Sequence, residues 1–261
     1  MHVGIVGAGP AGVSAAVFLK RCGIEISVFE KESVGGLIAN AWRVENVPII
    51  SPCSGEEIAR SLKVSLNEFS INVLYEEVVE IFNRRVLTRS KEYLFDKIIV
   101  ASGTLPRRIL KFEVSSNVVY EYRHLPADIE SLAVFGAGDA ALDGALKAFE
   151  NGVRSVHIFS RSGRIKAIKR LRDLAMNSPI VFHFSEPILD VIQGEKLILT
   201  THKAVYEFDA LLICIGRVPN VLFVKERTSD IYIVGDAHGS HRQMSIAIGQ
   251  AIETAMNILG G

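Results

Sequence analysis

The sequence lacks paired cysteines and an excess of charge of either sign. Its three cysteines, Cys22, Cys53 and Cys214, form no C-x-x-C motif and no metal-ligand spacing, and an odd number argues against a disulfide framework. We therefore expect no metal site. Lys and Arg together number 29, as do Asp and Glu, so no net charge favours binding to nucleic acid or anionic lipid.

Long apolar segments are also absent. Runs such as LLICIG are far shorter than the roughly 18 residues that a membrane-spanning helix needs. The chain begins with a strand-like HVGIVG and shows neither a positively charged leader nor a cleavage site. We therefore expect a cytoplasmic protein that binds neither membranes nor nucleic acid. Because 49% of the 261 residues are hydrophobic, we also expect compact, well-filled cores.

Strand-like and helix-like segments alternate along the chain. Continuous apolar runs, of the kind buried on both faces of a parallel sheet, recur at VGIVG, EISVFE, DKIIVASG, LAVFGAG, SVHIFSR, ALLICIG and DIYIVGD. Shorter alternating stretches lie between residues 63 and 96 and again between 179 and 209. The pattern predicts an α/β fold with two Rossmann-like dinucleotide-binding domains, each with a small antiparallel β-meander.

A glycine-rich turn follows the first strand. In GIVGAGPAG, Gly7 permits a tight turn, Gly9 leaves the backbone open to a pyrophosphate, and Gly12 lets the next helix approach the sheet. The phosphates would lie at the helix N-terminus, where free N–H groups favour negative charge. Glu30, 23 residues after Gly7, is placed to accept a hydrogen bond from a ribose 2′-hydroxyl. The segment predicts a dinucleotide site for an unphosphorylated ribose rather than an empty turn.

The same turn recurs in LAVFGAGDAALDGA. Its glycines, Gly136 and Gly138, are followed by Ala141 where the first turn has a third glycine. The next strand ends in Ser160 and Arg161 rather than in an acid, and Arg161, with Arg164 or Lys166 just beyond, could bind a 2′-phosphate that an acid would repel. We therefore expect NADPH here, with NADH possible. The alternative is that RSGRIKAIKRLR is only a solvated helix face.

Eight segments resemble, in order and across nearly the whole chain, the thioredoxin reductase-like branch of the two-dinucleotide flavoproteins. They are GIVGAGPAG, Glu30, VGGLIANAWRVENVP, KIIVASGTLPR, LAVFGAGDAALDGA, LLICIGRVPN, IYIVGDA and RQMSIAIGQAIETA. The resemblance implies FAD in the first domain, a nicotinamide nucleotide in the second, and a homodimer. It also implies a discontinuous FAD-binding domain, residues 1–113 and 221–261, around an NAD(P)H-binding domain, residues 114–220.

The resemblance further implies roles for individual residues. The residues expected along FAD are Gly7, Gly9, Pro10, Gly12, Glu30, Gly36, Leu37, Asn46, Gly103, Asp236 and Gln243. The residues expected along NAD(P)H are Gly136, Gly138, Asp139, Ala140, Arg161 and Lys166. A physical argument supports one of these assignments. Gln243 begins the last helix, whose N-terminus would stabilise negative charge on the flavin.

The dithiol of the disulfide-reducing members of this family is missing. In those relatives the dithiol lies just upstream of the second glycine turn. The corresponding segment of this chain is VVYEYRHLPADIES, in which Val119 and Tyr122 stand roughly where the cysteines would be. All three cysteines are expected to be packing residues rather than redox partners. We therefore predict an FAD-dependent oxidoreductase that takes hydride from NAD(P)H and passes electrons to an external acceptor. Ferredoxin, a quinone, a small disulfide or dioxygen could serve, and within the family the chain resembles the ferredoxin-NADP reductase branch, which also lacks the dithiol.

Two other functions stay open at this point. FAD could be structural in a nucleotide sensor without turnover, or the chain could reduce a disulfide with cysteines that a partner supplies. The second β-meander and the segment between GRVPN and IYIVGDA are shorter than the family's, so the second domain could bind NADPH weakly or bind another ligand. Tyr122 or His124 could lie beside the flavin, or both could belong to an ordinarily packed linker.

Overall fold

Two compact units make up the structure, a computed structural model that describes residues 1–239 and 241–260. The first unit comprises Met1–Ala39, Glu45–Leu105 and Val218–Gly261, and the second comprises Asn40–Val44 and Pro106–Arg217. Both breaks lie earlier than the predicted ones after residues 113 and 220. At the first break the reason is packing, since Phe112 is buried in a core of the second unit. Residues 240 and 261 of the predicted C-terminal segment lie outside the described residues.

A five-stranded parallel sheet forms the centre of the first unit. Its strands are β1 (His2–Val6), β2 (Glu25–Phe29), β3 (Val73–Leu74), β7 (Lys97–Val100) and β18 (Ile231–Ile233). They lie in the order β18–β7–β1–β2–β3. The C-terminal part of the chain therefore completes the sheet at one edge, as the family resemblance implies.

Helices cover one face of this sheet and an antiparallel meander covers the other. The helices are α1 (Pro10–Arg21), α2 (Gly55–Glu68) and α5 (Met244–Gly260). The meander consists of β4 (Val78–Phe82), β5 (Arg85–Thr88) and β6 (Glu92–Leu94). Alternate strand residues face the two layers: Val3 and Ile5 pack towards the helices, whereas Ile98 and Val100 pack with Ile81 of the meander.

The second unit repeats this arrangement. Its parallel strands are β9 (Val118–Val119), β10 (Ser131–Phe135), β11 (Ser155–Phe159), β12 (Val181–His183) and β16 (Ala210–Ile213). Their order is β12–β11–β10–β16–β9. It matches the first sheet written from its other edge, β3–β2–β1–β7–β18, with β10 in the place of β1. Helices α3 (Asp139–Glu150) and α4 (Lys169–Met176) pack on one face, and a meander of β13 (Asp190–Gln193), β14 (Leu197–Thr200) and β15 (Val205–Phe208) packs on the other.

The predicted fold class is confirmed, including both parallel sheets and both meanders. The edge strands β3 and β12 lie within the two predicted alternating stretches, which the prediction does not divide further, and no strand is predicted at β9. Two short strands, β8 (Thr104–Pro106) and β17 (Arg217–Pro219), lie where the chain passes between the units. Over residues 1–239 and 241–260, no helix is long and apolar enough to cross a membrane.

Candidate functional site

The first glycine turn brings the ends of two strands against the start of a helix. Gly7 follows β1 with φ +105°, and its N–H donates to Phe29 O at 2.8 Å. A Cβ on Gly7 would lie 2.4 Å from Ala101 O, and a Cβ on Gly12 would lie 1.8 Å from Gly7 O. Both positions therefore need glycine for the fold itself. Pro10 begins α1, where its missing N–H costs no helical hydrogen bond.

Gly9 differs from its two neighbours in the motif. Its φ of −77° suits any residue, and the nearest described atom to a Cβ there would be Gly35 O at 3.8 Å. A Cβ on Gly36, whose φ is +57°, would lie 3.5 Å from the Cα of Gly9. The two glycines therefore face each other, and Leu37 follows in the short helical turn Gly36–Asn40. The protein's own packing leaves room for a Cβ at Gly9, so the close approach that requires glycine at Gly7 and Gly12 is absent there.

Glu30 follows β2 and turns its carboxylate towards the glycine turn. Its Oε2 accepts a hydrogen bond from the N–H of Ala8 at 2.9 Å, and its Oε1 accepts one from the N–H of Glu32 at 2.9 Å. Glu30 and Gly7 line a cavity of about 360 Å³ that Glu76 and Glu77 also border. Lys31 and Arg89 line it as well, and Arg89 pairs with Glu77 at 2.9 Å. Three carboxylates against two cations leave the cavity mildly acidic, which suits a neutral ribose better than a phosphate.

Glu76 is held ionised at this cavity. It accepts hydrogen bonds from Thr88 Oγ1 at 2.6 Å, Tyr93 Oη at 2.7 Å and Ser90 Oγ at 2.8 Å. These hydroxyls lower the pKa of Glu76 to about 2. The cavity therefore keeps its negative charge at neutral pH.

Two further predicted FAD residues meet at the start of α5. The Asn46 Nδ2 amide donates to Gln243 Oε1 at 2.6 Å, and both side chains are exposed.

Asp236 lies in the turn Gly235–Ala237 beside Gly235. A Cβ on Gly235 would lie 3.2 Å from the Cβ of Ala11 and 3.3 Å from that of Ala247, which places this turn between the starts of α1 and α5. Gly103 has φ +65°, and its carbonyl accepts the N–H of Asn220 at 3.0 Å.

The second turn repeats the geometry of the first. Gly136 has φ +138°, and a Cβ there would lie 2.2 Å from Cys214 O. Gly138 has φ −98°, and no described atom lies within 4 Å of the place of its Cβ. Thus the second glycine of each motif is again the one that packing does not require. Ala140 lies exposed in the first turn of α3, and Ala141, in the third motif position, is fully buried.

The loop after β11 returns to this turn. The N–H of Lys166 donates to Ala137 O at 2.7 Å, and the N–H of Ile168 donates to Asp139 Oδ1 at 2.8 Å. Asp139 therefore fixes the loop, a role that the sequence did not indicate. The side chains of Arg161 and Lys166 are both exposed. The structure brings Lys166 to the glycine turn through its backbone, and it places Arg161 at the carboxyl end of β11.

The segment that corresponds to the missing dithiol is covered by Asn40–Val44. The Asn40 side chain donates to Glu121 Oε2 at 2.7 Å and accepts the N–H of Arg123 at 3.1 Å. The Trp42 N–H donates to Asp143 Oδ2 at 2.8 Å, and its indole Nε1–H donates to Glu150 Oε2 at 2.6 Å. Asn40–Val44 is therefore anchored to both the Glu121–Arg123 stretch and α3.

Tyr122 is packed within the second unit at this place. The buried ammonium of Lys147 lies 4.7 Å from the centroid of the Tyr122 ring, and the Tyr122 hydroxyl accepts the Asn151 Nδ2 amide at 3.0 Å. His124 is exposed.

The cysteines occupy three different environments. Cys22 is exposed at the C-terminus of α1, so the expectation that it is a packing residue is wrong. Cys53 is partly buried. Burial, with the charge of Glu121, raises the pKa of the Cys214 thiol to about 12, which keeps it protonated and unreactive at neutral pH.

Asp143 should make the free energy of unfolding depend on pH. Burial raises its pKa from 3.8 to about 6, so the folded protein keeps a proton that the unfolded chain releases. This stabilisation is full below pH 3.8 and is lost as the pH rises through about 6. We expect Asp143→Asn to remove a change on the order of 2–3 kcal/mol across that range, measured by urea unfolding at a series of pH values.

Glu150→Gln is the matched control, since Glu150 contacts Trp42 from the same helix. It removes a Trp42 contact without touching Asp143, so the pH dependence that Asp143 causes should persist in this variant. Fluorescence of Trp42, the single tryptophan, reports whether Asn40–Val44 stays in place. Equal pH profiles for wild type and Asp143→Asn would contradict the assignment.

Comparisons with known proteins agree with this geometry. The pyridine nucleotide-disulphide oxidoreductase family matches residues 1–251. A ferredoxin–NADP reductase of Ignicoccus hospitalis is 32% identical over 234 residues, which cover 82% of this chain and 76% of that protein. A thioredoxin reductase of Ureaplasma parvum is 25% identical over 260 residues, which cover 90% of this chain and 80% of that protein.

A solved structure shares the fold over nearly the whole chain. The thioredoxin reductase of Lactococcus lactis has a TM-score of 0.86 at 22% identity and covers 99% of this chain and 98% of its own. Thioredoxin reductases and ferredoxin–NADP reductases use FAD and NADPH. The chain therefore belongs to the pyridine nucleotide-disulphide oxidoreductase family and is an NAD(P)H-dependent flavin oxidoreductase.

Proposed function

We propose that this chain carries electrons from NADPH, by way of FAD, to an acceptor outside the chain, without an internal dithiol. The observation that carries the proposal is the pair Gly9 and Gly138. Each sits at a helix N-terminus with an ordinary φ and with space for a side chain that the fold does not use. A dinucleotide whose pyrophosphate needs that space accounts for glycine at both positions.

The first unit is the proposed FAD site. The start of α1 supplies N–H groups to the pyrophosphate, and Glu30 accepts from the adenosine ribose within the acidic cavity. Asn46 and Gln243 hold each other at the start of α5, whose N-terminal dipole favours negative charge on the group it faces. FAD, when bound, supplies the two-electron redox chemistry that the side chains lack.

The second unit is the proposed NADPH site. The open face of Gly138 and the start of α3 suit a pyrophosphate, and Arg161 is the cation available at the end of β11 for a 2′-phosphate. Asp139 supports this site by holding the Arg161–Ile168 loop against the turn.

An external acceptor follows from the cysteine positions. The sequence has no C-x-x-C motif, and the Cys214 thiol, whose pKa is raised to about 12, stays protonated at neutral pH. The 32% identity to a ferredoxin–NADP reductase supports a small redox protein as the acceptor. A quinone, a small disulfide or dioxygen would likewise take its electrons from the reduced flavin. A cytoplasmic location and a homodimer remain predictions.

Replacing Gly9 should separate cofactor binding from folding. Gly9→Val should cost the apoprotein no more than about 1 kcal/mol, the loss expected for a poor N-cap residue, because its Cβ meets no closer atom than Gly35 O at 3.8 Å, but it should abolish FAD binding by filling the place of the pyrophosphate. Gly12→Ala is the control: its Cβ would lie 1.8 Å from Gly7 O, so the apoprotein should lose about 2–3 kcal/mol. FAD absorbance after reconstitution and urea unfolding are the measurements. Normal FAD binding by Gly9→Val would contradict the site.

The three cysteines should be dispensable for electron transfer. A variant with Cys22, Cys53 and Cys214 replaced by Ser or Ala should retain turnover of NADPH with a dye acceptor if it folds. Anaerobic titration of the wild type should require two electrons per FAD, because the flavin is the single redox group. A requirement for four electrons, or loss of turnover in a folded, FAD-loaded variant, would reveal a cysteine pair. Absence of dye reduction by the wild type would favour a sensor.

Arg161 should determine the preference for NADPH. Arg161→Ala should weaken NADPH binding by about 1.5–3 kcal/mol, as for a hydrogen bond to a charged group, and leave NADH binding nearly unchanged. Arg154→Ala is the matched control, since Arg154 is an exposed arginine of the same unit that pairs with Glu130 at 3.3 Å. Calorimetric titration measures both affinities. Equal losses for NADPH and NADH would indicate that the loop is only a solvated surface.

A further inference from the structure

A buried glutamate lies behind the loop that carries Arg161. Glu186 is 2% exposed, and its Oε1 accepts hydrogen bonds from Thr201 Oγ1 and from the Tyr206 hydroxyl, each at 2.8 Å. Lys203 Nζ lies 3.2 Å from its Oε2, and His183 Nδ1 lies 3.4 Å from the same oxygen. Every partner comes from the second unit. Burial alone would raise the pKa of Glu186, but these donors outweigh it and lower the pKa to about 2.

This carboxylate fixes the turn between β12 and β13. Within the turn, Ser185 adopts φ +51°, a left-handed conformation that is uncommon outside glycine. A strained turn of this kind persists only where its surroundings hold it. The hydrogen bonds to Glu186 provide that support, together with His183, whose ring stacks on Phe159 at 4.3 Å between centroids.

The turn between β12 and β13 also holds the loop that begins after β11. The Glu186 N–H donates to Ser160 O at 2.8 Å, and the Ser160 N–H donates to His183 O at 3.1 Å, so both peptide groups of Ser160 are held. The Ser160 hydroxyl donates to Ser162 O at 2.5 Å across Arg161. Gly163 also lies against the turn, since a Cβ there would be 3.6 Å from Ser185 Oγ. The backbone on both sides of Arg161 is therefore bound to a structure that Glu186 organises.

We propose that Glu186, with Tyr206 and Thr201 as its donors, is the positioning residue for recognition of the 2′-phosphate of the nicotinamide nucleotide. The inference rests on the proposed function in one respect, that Arg161 binds this phosphate. The network reaches no cofactor itself; it sets the backbone conformation from which Arg161 extends. A loop whose backbone is already held loses less entropy when its arginine binds than a free loop does, so the network adds affinity for the phosphorylated nucleotide alone.

Tyr206→Phe tests the proposal, with Tyr120→Phe as the matched control. Both tyrosine hydroxyls donate to a glutamate of the second unit at 2.8 Å, but Tyr120 serves Glu113. In the full-length, FAD-loaded protein, Tyr206→Phe should weaken binding of adenosine 2′,5′-bisphosphate about three- to tenfold, as for one lost hydrogen bond, while binding of 5′-AMP changes less than about twofold. Tyr120→Phe should change neither. Isothermal calorimetry gives both affinities.

The double variant distinguishes positioning from general stability. If Tyr206 acts through Arg161, Tyr206→Phe should have no further effect on bisphosphate binding in the Arg161→Ala background. Thr201→Val is the second test should Tyr206→Phe fail to fold, and Thr201→Ser, which keeps the hydroxyl, should restore wild-type selectivity. Equal losses for both ligands, or additive effects in the double variant, would overturn the inference while leaving the NADPH site intact. An Arg161→Ala variant with undiminished bisphosphate binding would overturn the NADPH site itself.

Discussion

Both units depend on a close approach of backbone to backbone that leaves no room for a side chain. At the end of β1 the turn lies against Ala101 O, and at the end of β10 it lies against Cys214 O, so that a Cβ on either glycine would fall within 2.4 Å of a carbonyl oxygen. This contact fixes where β1 ends along the strand direction relative to β7, and where β10 ends relative to β16. The following helix then starts with its free N–H groups at the carboxyl edge of the sheet, and the candidate sites are built there.

The two turns differ in how tightly the helix packs. In the first unit Gly12 is required, because a methyl group would lie 1.8 Å from Gly7 O. In the second unit Ala141 occupies the equivalent position and is fully buried, so α3 accommodates one more methyl group than α1. Asp139 compensates on the outer side by accepting the N–H of Ile168. Both turns therefore combine a glycine close approach with a side-chain hydrogen bond, from Ala8 N–H to Glu30 in the first unit and from Ile168 N–H to Asp139 in the second.

Local patterns predicted the sheets and the glycine turns well. Buried strands such as IIV and LAVF carry continuous apolar runs, and Gly7 and Gly136 precede helices at the expected spacing. Strands of two or three residues, such as Val118–Val119, have no such signal, since their pairing partner rather than their sequence defines them. The contact of Trp42 with Asp143 joins residues 101 apart, and the partners of Glu186 lie 15 and 20 residues away. Hydrogen bonds at these separations depend on the tertiary fold, which residue spacing does not encode.

The residue that follows the second strand of each unit, Glu30 in the first and Ser160 in the second, determines whether a carboxylate lies at the glycine turn. Glu30 follows β2 as Ser160 follows β11, and both strands pair in the same register with the strand that precedes the turn. The Glu30 carboxylate bonds to the N–H of Ala8 and keeps negative charge at the turn. The shorter Ser160 side chain bonds instead to Ser162 O, within the loop that carries Arg161. Because the acid is absent there, a cation beside the second turn meets no neutralising carboxylate from this position. A common backbone can therefore present a hydrogen-bond acceptor to a ribose in one unit and a positive charge to a phosphate in the other, which is the basis of the two proposed cofactor preferences.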